Sequence, residues 1–346
     1  MDAHPVAARR RHRLLPILPI LLLATLLAAC ASPAAGVPSP AAVTPAPSSV
    51  APAAQTATPA PTFPMTLTDD EGTKVTIPAE PSKIVSLTPA ATETLFALGL
   101  GDRVVGKVED FSVYPPEAAK VPDVAKYGSV DVEKIVGMGT DLVIAGGANF
   151  NPPESIAKLR QLGVPVLVVF APDVKTALAD IRLIGTAVGR PDEAASIATG
   201  IQGAFAAVSQ ATSTLPEPRV YYELDATNGY FGPAPDYFGT EMIGVAGGQP
   251  LTSGTAGVYQ IQAEKIIEFD PQVILLGDAA YGVTADQVKQ RPGWDTISAV
   301  RTGDIRPIDD VIVTRPGPRL TEGIRALAVA IHPELAAVFG TPAPQP

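Results

Sequence analysis

The stretch KIVSLTPAATETLFALGLGDRVVG, residues 83–106, predicts a strand, a helix and a second strand in succession. Short runs rich in β-branched residues, at 84–87 and 104–106, enclose a helical pattern at 92–100. A helix between two such runs is typical of a βαβ unit, in which both strands lie parallel in one sheet. This stretch therefore predicts an α/β fold.

The same alternation continues through the rest of the chain. The predicted elements are a hairpin at 65–77, strands at 142–144, 166–169, 220–224, 273–276 and 305–308, and helices at 132–138, 153–162, 237–245, 263–268 and 320–331. The hairpin turn is predicted at Asp70-Glu71-Gly72. Each half of the chain is thus predicted to hold a mostly parallel sheet covered by helices.

A long helical stretch separates the two halves. It runs from 174 to about 213 and is interrupted only at Gly189-Arg190-Pro191. About forty residues of helix is too long for an ordinary connection, so we interpret the stretch as a stiff strut. The predicted fold class is α/β, with two Rossmann-like lobes at 63–172 and 216–346 joined by one long rigid helix at 173–215.

Residues 1–30 have the organisation of an export signal. Four arginines, at 9, 10, 11 and 13, precede an apolar stretch at 14–29 that ends in Leu27-Ala28-Ala29-Cys30. This ending resembles the lipobox of bacterial lipoproteins, in which the cysteine thiol takes a diacylglyceryl group. Cys30 is therefore the predicted lipidation site and membrane anchor. The alternative is an uncut signal anchor with an incidental cysteine.

Composition divides the remaining chain into a tether and a folded part. The chain has 346 residues and 37 prolines, and residues 31–62 are almost wholly Ala, Pro, Ser, Thr and Val without a charge. Such a segment cannot build a core, so it is predicted to be a disordered, extended tether. The formal net charge of −10 argues against nucleic acid as a partner, because an acidic surface repels phosphate.

Few side chains of the mature chain are suited to covalent or metal chemistry. Cys30 is the only cysteine, and His332 is the only histidine after the signal sequence. The sequence also lacks a G-x-S-x-G elbow, a P-loop and a G-x-G-x-x-G fingerprint. These observations exclude a Ser-His-Asp hydrolase and a zinc hydrolase. We predict no catalytic residue, no metal ligand and no resident cofactor; an enzyme would have to use carboxylates, lysine or tyrosine.

Polar and aromatic residues follow the predicted strands in both halves. Open α/β lobes hold ligands at the carboxyl ends of their strands, so we expect these residues to line a cleft. The candidates are Thr88, Asp110, Phe111, Tyr127, Asn149 and Phe150 in the first lobe and Asp225, Tyr230, Tyr237, Tyr259, Tyr281, Trp294 and Arg315 in the second. Because tyrosine combines an apolar face with a hydroxyl, the set suits a large and partly apolar organic ligand.

One short pattern occurs in both halves. Glu133-Lys134-Ile135 precedes a buried strand and Gly146, and Glu264-Lys265-Ile266 precedes a buried strand and Gly277. The interval from glutamate to glycine is the same in both. The match indicates two similar units related by an approximate two-fold axis; the alternative is a chance recurrence of a common helix fragment.

Residues 81–93 and 98–106 resemble the opening of substrate-binding proteins of ABC importers for iron-siderophores, haem and cobalamin. The resemblance continues through Tyr114-Pro115-Pro116, residues 130–146, Arg291-Pro292-Gly293-Trp294 and residues 315–320, and covers nearly all of 63–335. It implies the class III periplasmic-binding-protein fold, with two lobes bridged by one helix and little lobe motion. It also implies docking on a permease through one glutamate of each lobe, at Glu133 and Glu264.

The resemblance leaves three chelates open as the ligand. Tyr127 and the stretch 110–116 match the cobalamin-binding subgroup, whereas Gly146 and Val258 stand where that subgroup carries tryptophans. A ferric siderophore is usually anionic, and Arg291, Arg315 and Arg319 are the arginines available for it. Haem is the third candidate, for which tyrosine is the available iron ligand. A cobalamin-type corrinoid is the favoured ligand, with ferric siderophore next.

The predicted function follows from the fold, the anchor and the resemblance. We expect a monomeric, lipid-anchored, extracytoplasmic receptor that holds a metal chelate between its lobes and presents it to an ABC permease. Its partners are then the permease, the small-molecule chelate and, through the lipid, the membrane. Two other classes remain open: a surface hydrolase that uses carboxylates in the same cleft, and a sensor or adhesion lipoprotein with the same two-lobe fold.

Overall fold

The computed structural model describes residues 61–148 and 150–341. The predicted signal peptide, the lipidation site Cys30 and the tether up to residue 60 lie outside the described residues. The described part consists of two α/β lobes and a helical connection, which confirms the predicted fold class. Within these ranges, no helix has both the length and the apolarity needed to cross a membrane.

The first lobe begins with a two-stranded hairpin and continues as a six-stranded sheet. Its strands are β1 Met65–Thr68, β2 Lys74–Ile77, β3 Ile84–Ser86, β4 Val104–Val108, β5 Asp123–Lys126, β6 Ser129–Val130, β7 Leu142–Ala145 and β8 Val166–Val168. Its helices are α1 Pro89–Ala97, α2 Val132–Gly137 and α3 Pro153–Gln161. The sheet order is β6-β5-β4-β3-β7-β8, and all neighbours are parallel except β5 and β6.

The connection between the lobes is a pair of helices, which corrects the single helix predicted at 173–215. The pair consists of α4 Val174–Ala187 and α5 Pro191–Thr212, packed against each other. Gly189 has a left-handed backbone, with φ of +77°, that ends α4, and Pro191 occupies the first turn of α5. The longer helix is α5, whose 22 residues span about 33 Å.

Helix α5 is anchored in both lobes. At its start, the Arg190 guanidinium lies 3.7 Å from the Glu80 carboxylate of the first lobe. At its end, the Thr212 hydroxyl donates to the Val245 carbonyl of the second lobe at 3.2 Å. Apolar side chains of both linking helices belong to one buried cluster that extends from Ile84 to Ile324. This continuous core opposes hinge motion between the lobes.

The second lobe contains a four-stranded parallel sheet of order β11-β9-β13-β14 and a small antiparallel pair, β10 with β12. Its strands are β9 Arg219–Glu223, β10 Tyr230–Phe231, β11 Gln249–Pro250, β12 Gln260–Ile261, β13 Val273–Leu276 and β14 Ile305–Pro307. Its helices are α6 Phe238–Val245, α7 Ala263–Phe269, α8 Ala285–Lys289, α9 Ser298–Thr302, α10 Asp310–Thr314, α11 Leu320–Ile331 and α12 Ala336–Phe339. The sequence predicted the strands β9, β13 and β14 and the helices α6, α7 and α11. It did not predict the remaining short strands and helices of this lobe.

Candidate ligand-binding cleft

Four buried charges join the lobes near the carboxyl ends of their strands: Glu93 of α1, Asp110 after β4, Arg315 after α10 and Arg319 before α11. Arg315 donates to both carboxylate oxygens of Asp110, at 2.7 and 2.9 Å, and to Glu93 Oε1 at 2.9 Å. It also donates to the Ser112 carbonyl at 3.1 Å. We call Glu93, Asp110, Arg315 and Arg319 the inter-lobe clamp.

Arg319 completes the clamp. Its Nε and Nη2 donate to the two carboxylate oxygens of Glu93 at 2.9 and 2.6 Å, and its guanidinium carbon lies 4.2 Å from the Tyr114 ring centre. Burial lowers the pKa of Arg319, but the bonds to Glu93 outweigh burial, so the pKa is raised. Two cations thus balance two anions, and the lobes are joined without an unpaired charge.

An aromatic pair lies beside the clamp. The Phe111 and Tyr281 rings are 6.0 Å apart and meet edge to face, one from each lobe. Nevertheless Phe111 is 76% exposed and Tyr281 is 61% exposed. The two contacting rings form a continuous apolar patch, and continuous patches of this kind are where ligands or partners bind. We call Phe111 and Tyr281 the cleft aromatic pair.

Three more of the predicted ligand residues are exposed aromatics. Tyr127, in the turn between β5 and β6, is 80% exposed. Phe150, after β7, lies 6.5 Å from the Phe170 ring, and Tyr259 lies edge to face against Tyr237 at 5.8 Å. Their contact with a ligand stays a prediction, as it does for the cleft aromatic pair.

Two predicted ligand residues support the local backbone of their own lobe. The Thr88 hydroxyl accepts the Ala91 N–H at 3.2 Å and so caps α1. The Asp225 carboxylate accepts bonds from the Thr227 hydroxyl and N–H at 2.6 and 2.8 Å, and these bonds lower the pKa of Asp225. Both side chains form turns that shape the edge of the sheet. Asn149, a further predicted ligand residue, lies outside the described residues.

Two predicted cleft aromatics pack inside the second lobe instead. Trp294 is fully buried in a cluster with Tyr221, so it does not line the cleft. The half-buried Tyr230 ring lies 5.0 Å from the Trp294 ring and 5.1 Å from the Arg291 guanidinium. The large apolar area of tryptophan explains this placement, because buried aromatic side chains contribute much of the stability of a core.

The paired glutamates occupy equivalent positions. Glu133 and Glu264 are exposed residues in the first turns of α2 and α7. The lysine that follows each one donates to a backbone carbonyl of its own lobe: Lys134 to Asp123 at 2.7 Å and Lys265 to Ser253 at 2.6 Å. Within the described part of the chain neither glutamate accepts a hydrogen bond or forms an ion pair. The repeated pattern therefore presents one unpaired carboxylate on each lobe.

A buried charged group in the second lobe was not predicted as a unit. Arg291 donates from both Nη atoms to the two oxygens of Glu223, at 2.6 and 2.7 Å, and the Asp278 carboxyl lies beside them. Glu223 follows the buried residues 220–222 in β9, so a charge there requires a buried partner. The sequence indicates that a glutamate at the end of a buried strand needs a cationic partner, but it does not indicate which arginine is that partner.

A cavity of about 440 Å³ lies in the first lobe beside the exposed Phe170 ring. It is lined by Asp70, Glu71, Gly147, Ala148, Phe170, Pro172 and Thr176. The hairpin turn, the loops after β7 and β8 and the start of α4 form its walls. Among residues 61–148 and 150–341, no group of three or more histidine, cysteine or acidic side chains is arranged to hold a metal ion.

Two α/β lobes that meet at their strand ends, with a stiff helical connection, define a bilobal solute-binding protein. The periplasmic binding protein family matches residues 84–311, and the chain belongs to this family. The chain is therefore a substrate-binding protein of the ABC-importer class, and not an enzyme.

Individual relatives differ in what their names say they bind. The chain is 34% identical to the uncharacterized ABC transporter substrate-binding lipoprotein YvrC of Bacillus subtilis, over 79% of this chain and 87% of the relative. It resembles the solved periplasmic vitamin B12 binding protein BtuF of Vibrio cholerae, with 25% identity, a TM-score of 0.64 and coverage of 73% and 97%. It also resembles the periplasmic heme-binding protein RhuT of Roseiflexus, with 28% identity, a TM-score of 0.64 and coverage of 73% and 98%.

Proposed function

We propose that this chain is a lipid-anchored receptor that binds a metal chelate, most favourably a cobalamin-type corrinoid, between its lobes and delivers it to an ABC permease. The observation that carries the proposal is the cleft aromatic pair, Phe111 and Tyr281. These two rings contact each other where the lobes meet, and both remain largely exposed to solvent. Exposed rings on both sides suit a bulky ligand with apolar faces.

The charges of the cleft support a corrinoid over an anionic ferric siderophore. The three candidate arginines all bind carboxylates of the chain: Arg315 and Arg319 in the clamp, and Arg291 on Glu223. An anionic ligand would have to compete with these buried pairs, each of which is held by at least two hydrogen bonds. Haem, whose propionates are also anionic, meets the same obstacle and ranks third. The B12-binding protein of Vibrio cholerae supports the corrinoid by likeness, and RhuT supports haem.

Docking and anchoring complete the proposal. Glu133 and Glu264 are placed to pair with arginines of a permease, because they are exposed, unpaired within the described ranges and equivalent in the two lobes. Cys30 carries the lipid, and the segment after it tethers a monomeric receptor outside the cytoplasm. The hydrolase alternative is set aside because the family consists of binding proteins. The sensor alternative is separated from the receptor by the docking experiment in the Discussion.

A visible absorption spectrum tests the ligand. The chain from Phe63 onward is incubated in turn with cyanocobalamin, haem and ferric siderophores, and free ligand is removed. We expect a retained corrinoid spectrum with cyanocobalamin. A Soret band or a ferric charge-transfer band alone would replace the corrinoid by haem or by a siderophore, and a colourless protein in all three cases would contradict the proposal.

The cleft aromatic pair gives a site-directed prediction. Changing Phe111 and Tyr281 together to alanine is expected to weaken cyanocobalamin binding by about 10- to 100-fold, because each lost ring contact contributes about 1 kcal/mol beyond its buried area. Val338→Ala is the control, since Val338 is an exposed apolar residue of α12 and should leave the affinity unchanged. Titration calorimetry gives both values, and equal affinities of the double variant and the unmodified chain would remove the pair from the site.

A further inference from the structure

A second carboxyl group lies against the buried Glu223–Arg291 ion pair. Leu276 of β13 pairs with Glu223 of β9, so Asp278, two residues further on, is beside Glu223 at the same sheet edge. The Glu223 side chain is fully buried and both its oxygens are bonded by Arg291. Asp278 is only 3% exposed. Two buried carboxyl groups therefore lie beside one guanidinium, whose hydrogen bonds among the described residues all go to Glu223.

The charges of this group do not balance if both acids are ionised. Both oxygens of Asp278 are buried and accept no hydrogen bond from the described residues. The groups that face Asp278 are Glu223, Arg291 and the hydroxyls of Tyr221 and Tyr222, which are also unbonded in the described part of the chain. Because an unpaired buried carboxylate is strongly unfavourable, Asp278 is expected to hold a proton, which it can donate towards Glu223.

Electrostatics agree with this proton count. Burial, and next the negative charge of Glu223, raise the pKa of Asp278 to about 7. Asp278 thus holds its proton through the acidic range and loses it near neutrality.

Asp278 is rigidly connected to the cleft. It belongs to the tight helical turn Gly277–Tyr281, which ends at the second-lobe member of the cleft aromatic pair. At the start of this turn Gly277 touches β9: a Cβ there would lie 2.8 Å from the Tyr222 ring and 3.0 Å from the Glu223 carbonyl oxygen. On the side of β9 there is no space for a movement of Asp278, so such a movement is directed along the turn towards its exposed end at Tyr281.

We propose that Asp278 is a positioning residue of the cleft: the proton that it shares with Glu223 seats the Gly277–Tyr281 turn, and loss of this proton displaces Tyr281 and weakens ligand binding. The part that concerns the ligand rests on the proposed function. The part that concerns the proton and Tyr281 does not.

Other titratable groups also face Tyr281 and must be separated from Asp278. They are Asp309 and Asp310 at the start of α10, together with Asp110 and Arg315 of the clamp. Burial and the neighbouring Asp309 raise the pKa of Asp310 to about 6, so Asp310 titrates in the same range. Asp310→Asn is therefore the matched control for Asp278→Asn.

Fluorine NMR without ligand tests the positioning. Tyr281 is replaced by 4-trifluoromethylphenylalanine, and its resonance is followed from pH 5.5 to 8.5. We expect a transition near pH 7 that Asp278→Asn abolishes, because asparagine imitates the protonated acid, and that Asp310→Asn retains. A transition near pH 7 that survives Asp278→Asn in the Asp310→Asn background, or no transition near pH 7 in the unmodified background, overturns the proposal.

The pH dependence of folding stability tests the shared proton independently of Tyr281 and of the ligand. Between about pH 4 and 7 the folded chain keeps a proton that unfolded Asp278 has lost, so stability falls as the pH rises through this window. We therefore compare the denaturation midpoint of Asp278→Asn with that of the unmodified chain at each pH. The difference, variant minus unmodified chain, should be larger at pH 8 than at pH 5. An equal difference at both pH values contradicts the shared proton.

Binding of cyanocobalamin, which has no group titrating in this range, tests the consequence for the ligand. Its affinity for the unmodified chain is expected to fall about tenfold from pH 5.5 to 8.5 and to stay constant in Asp278→Asn. Asp286→Asn, at a surface carboxylate of α8, should behave as the unmodified chain does. A constant affinity in the unmodified chain overturns the link to binding. No binding at either pH contradicts the proposed function, while the fluorine and stability measurements still decide the positioning.

Discussion

Changing Arg315 to methionine is expected to lower the free energy of unfolding by about 3 kcal/mol, the usual loss when a buried ion pair is left with one partner. Methionine keeps much of the apolar stem but removes four hydrogen bonds to the first lobe, including both bonds to Asp110. Glu93 retains Arg319, whereas Asp110 keeps no cationic partner among the described residues. Denaturant unfolding, monitored by circular dichroism, measures the change.

Two further variants separate the clamp from a general loss of packing. Arg103→Met removes a partly exposed ion pair with Glu80 within the first lobe and should change the unfolding free energy by less than about 1 kcal/mol. Adding Asp110→Asn to Arg315→Met should recover part of the loss, because the unpaired buried carboxylate is then gone. If Arg315→Met and Arg103→Met have equal effects, the clamp does not hold the lobes.

Reversing the charge of both Glu133 and Glu264 to arginine is expected to reduce uptake of cyanocobalamin by at least about 100-fold. In the docking that we propose, the two introduced arginines would face arginines of the permease, and like charges across an interface cost several kcal/mol. Both positions are exposed first-turn residues outside the cleft, so ligand affinity and stability should remain those of the unmodified chain. Uptake of labelled cyanocobalamin by cells that depend on the full-length, anchored chain measures the effect.

A matched control uses acids of the same kind elsewhere on the surface. Glu154→Arg in the first turn of α3, combined with Asp286→Arg in α8, makes the same charge change on exposed helix starts and should leave uptake unaffected. Single variants at Glu133 and Glu264 should each give an intermediate loss. Normal uptake in the Glu133 and Glu264 double variant would contradict permease docking and favour a sensor or adhesion role.

Local patterns in the sequence predicted the order of the elements correctly. The strands β3, β4, β7, β8, β9, β13 and β14 and the longer helices between them follow from apolar runs and helical periodicity, whereas the short helices α8 and α9 do not. The break at Gly189-Arg190-Pro191 was visible for the same reason, since a left-handed glycine and a first-turn proline act on the nearest residues only. The relative direction of the two helices on either side of this break could not be predicted from the nearby residues. That α4 turns back onto α5 depends on the apolar surface that both helices share with the lobes.

The candidate cleft residues remain a prediction, and the sequence did not indicate which of them pair with one another. Strand ends and residue types identified Phe111, Tyr127, Phe150, Tyr259 and Tyr281, which the structure leaves exposed. The same reasoning treated Asp110 and Arg315 as separate ligand residues, although they bind each other across 205 positions of sequence. An aspartate or an arginine that follows a strand gives the same sequence pattern whether it binds a ligand or pairs with another residue of the chain.

The sequence by itself determined the α/β class, the two lobes, the sparse catalytic chemistry and the matched glutamates, because these depend on composition and on spacings within a few residues. Only the tertiary structure decided that the clamp neutralises two arginines, that Trp294 is buried and that Asp278 shares the space of Glu223 and Arg291. Each of these depends on which distant side chains are brought into one dehydrated volume, where every buried charge must find a partner or a proton.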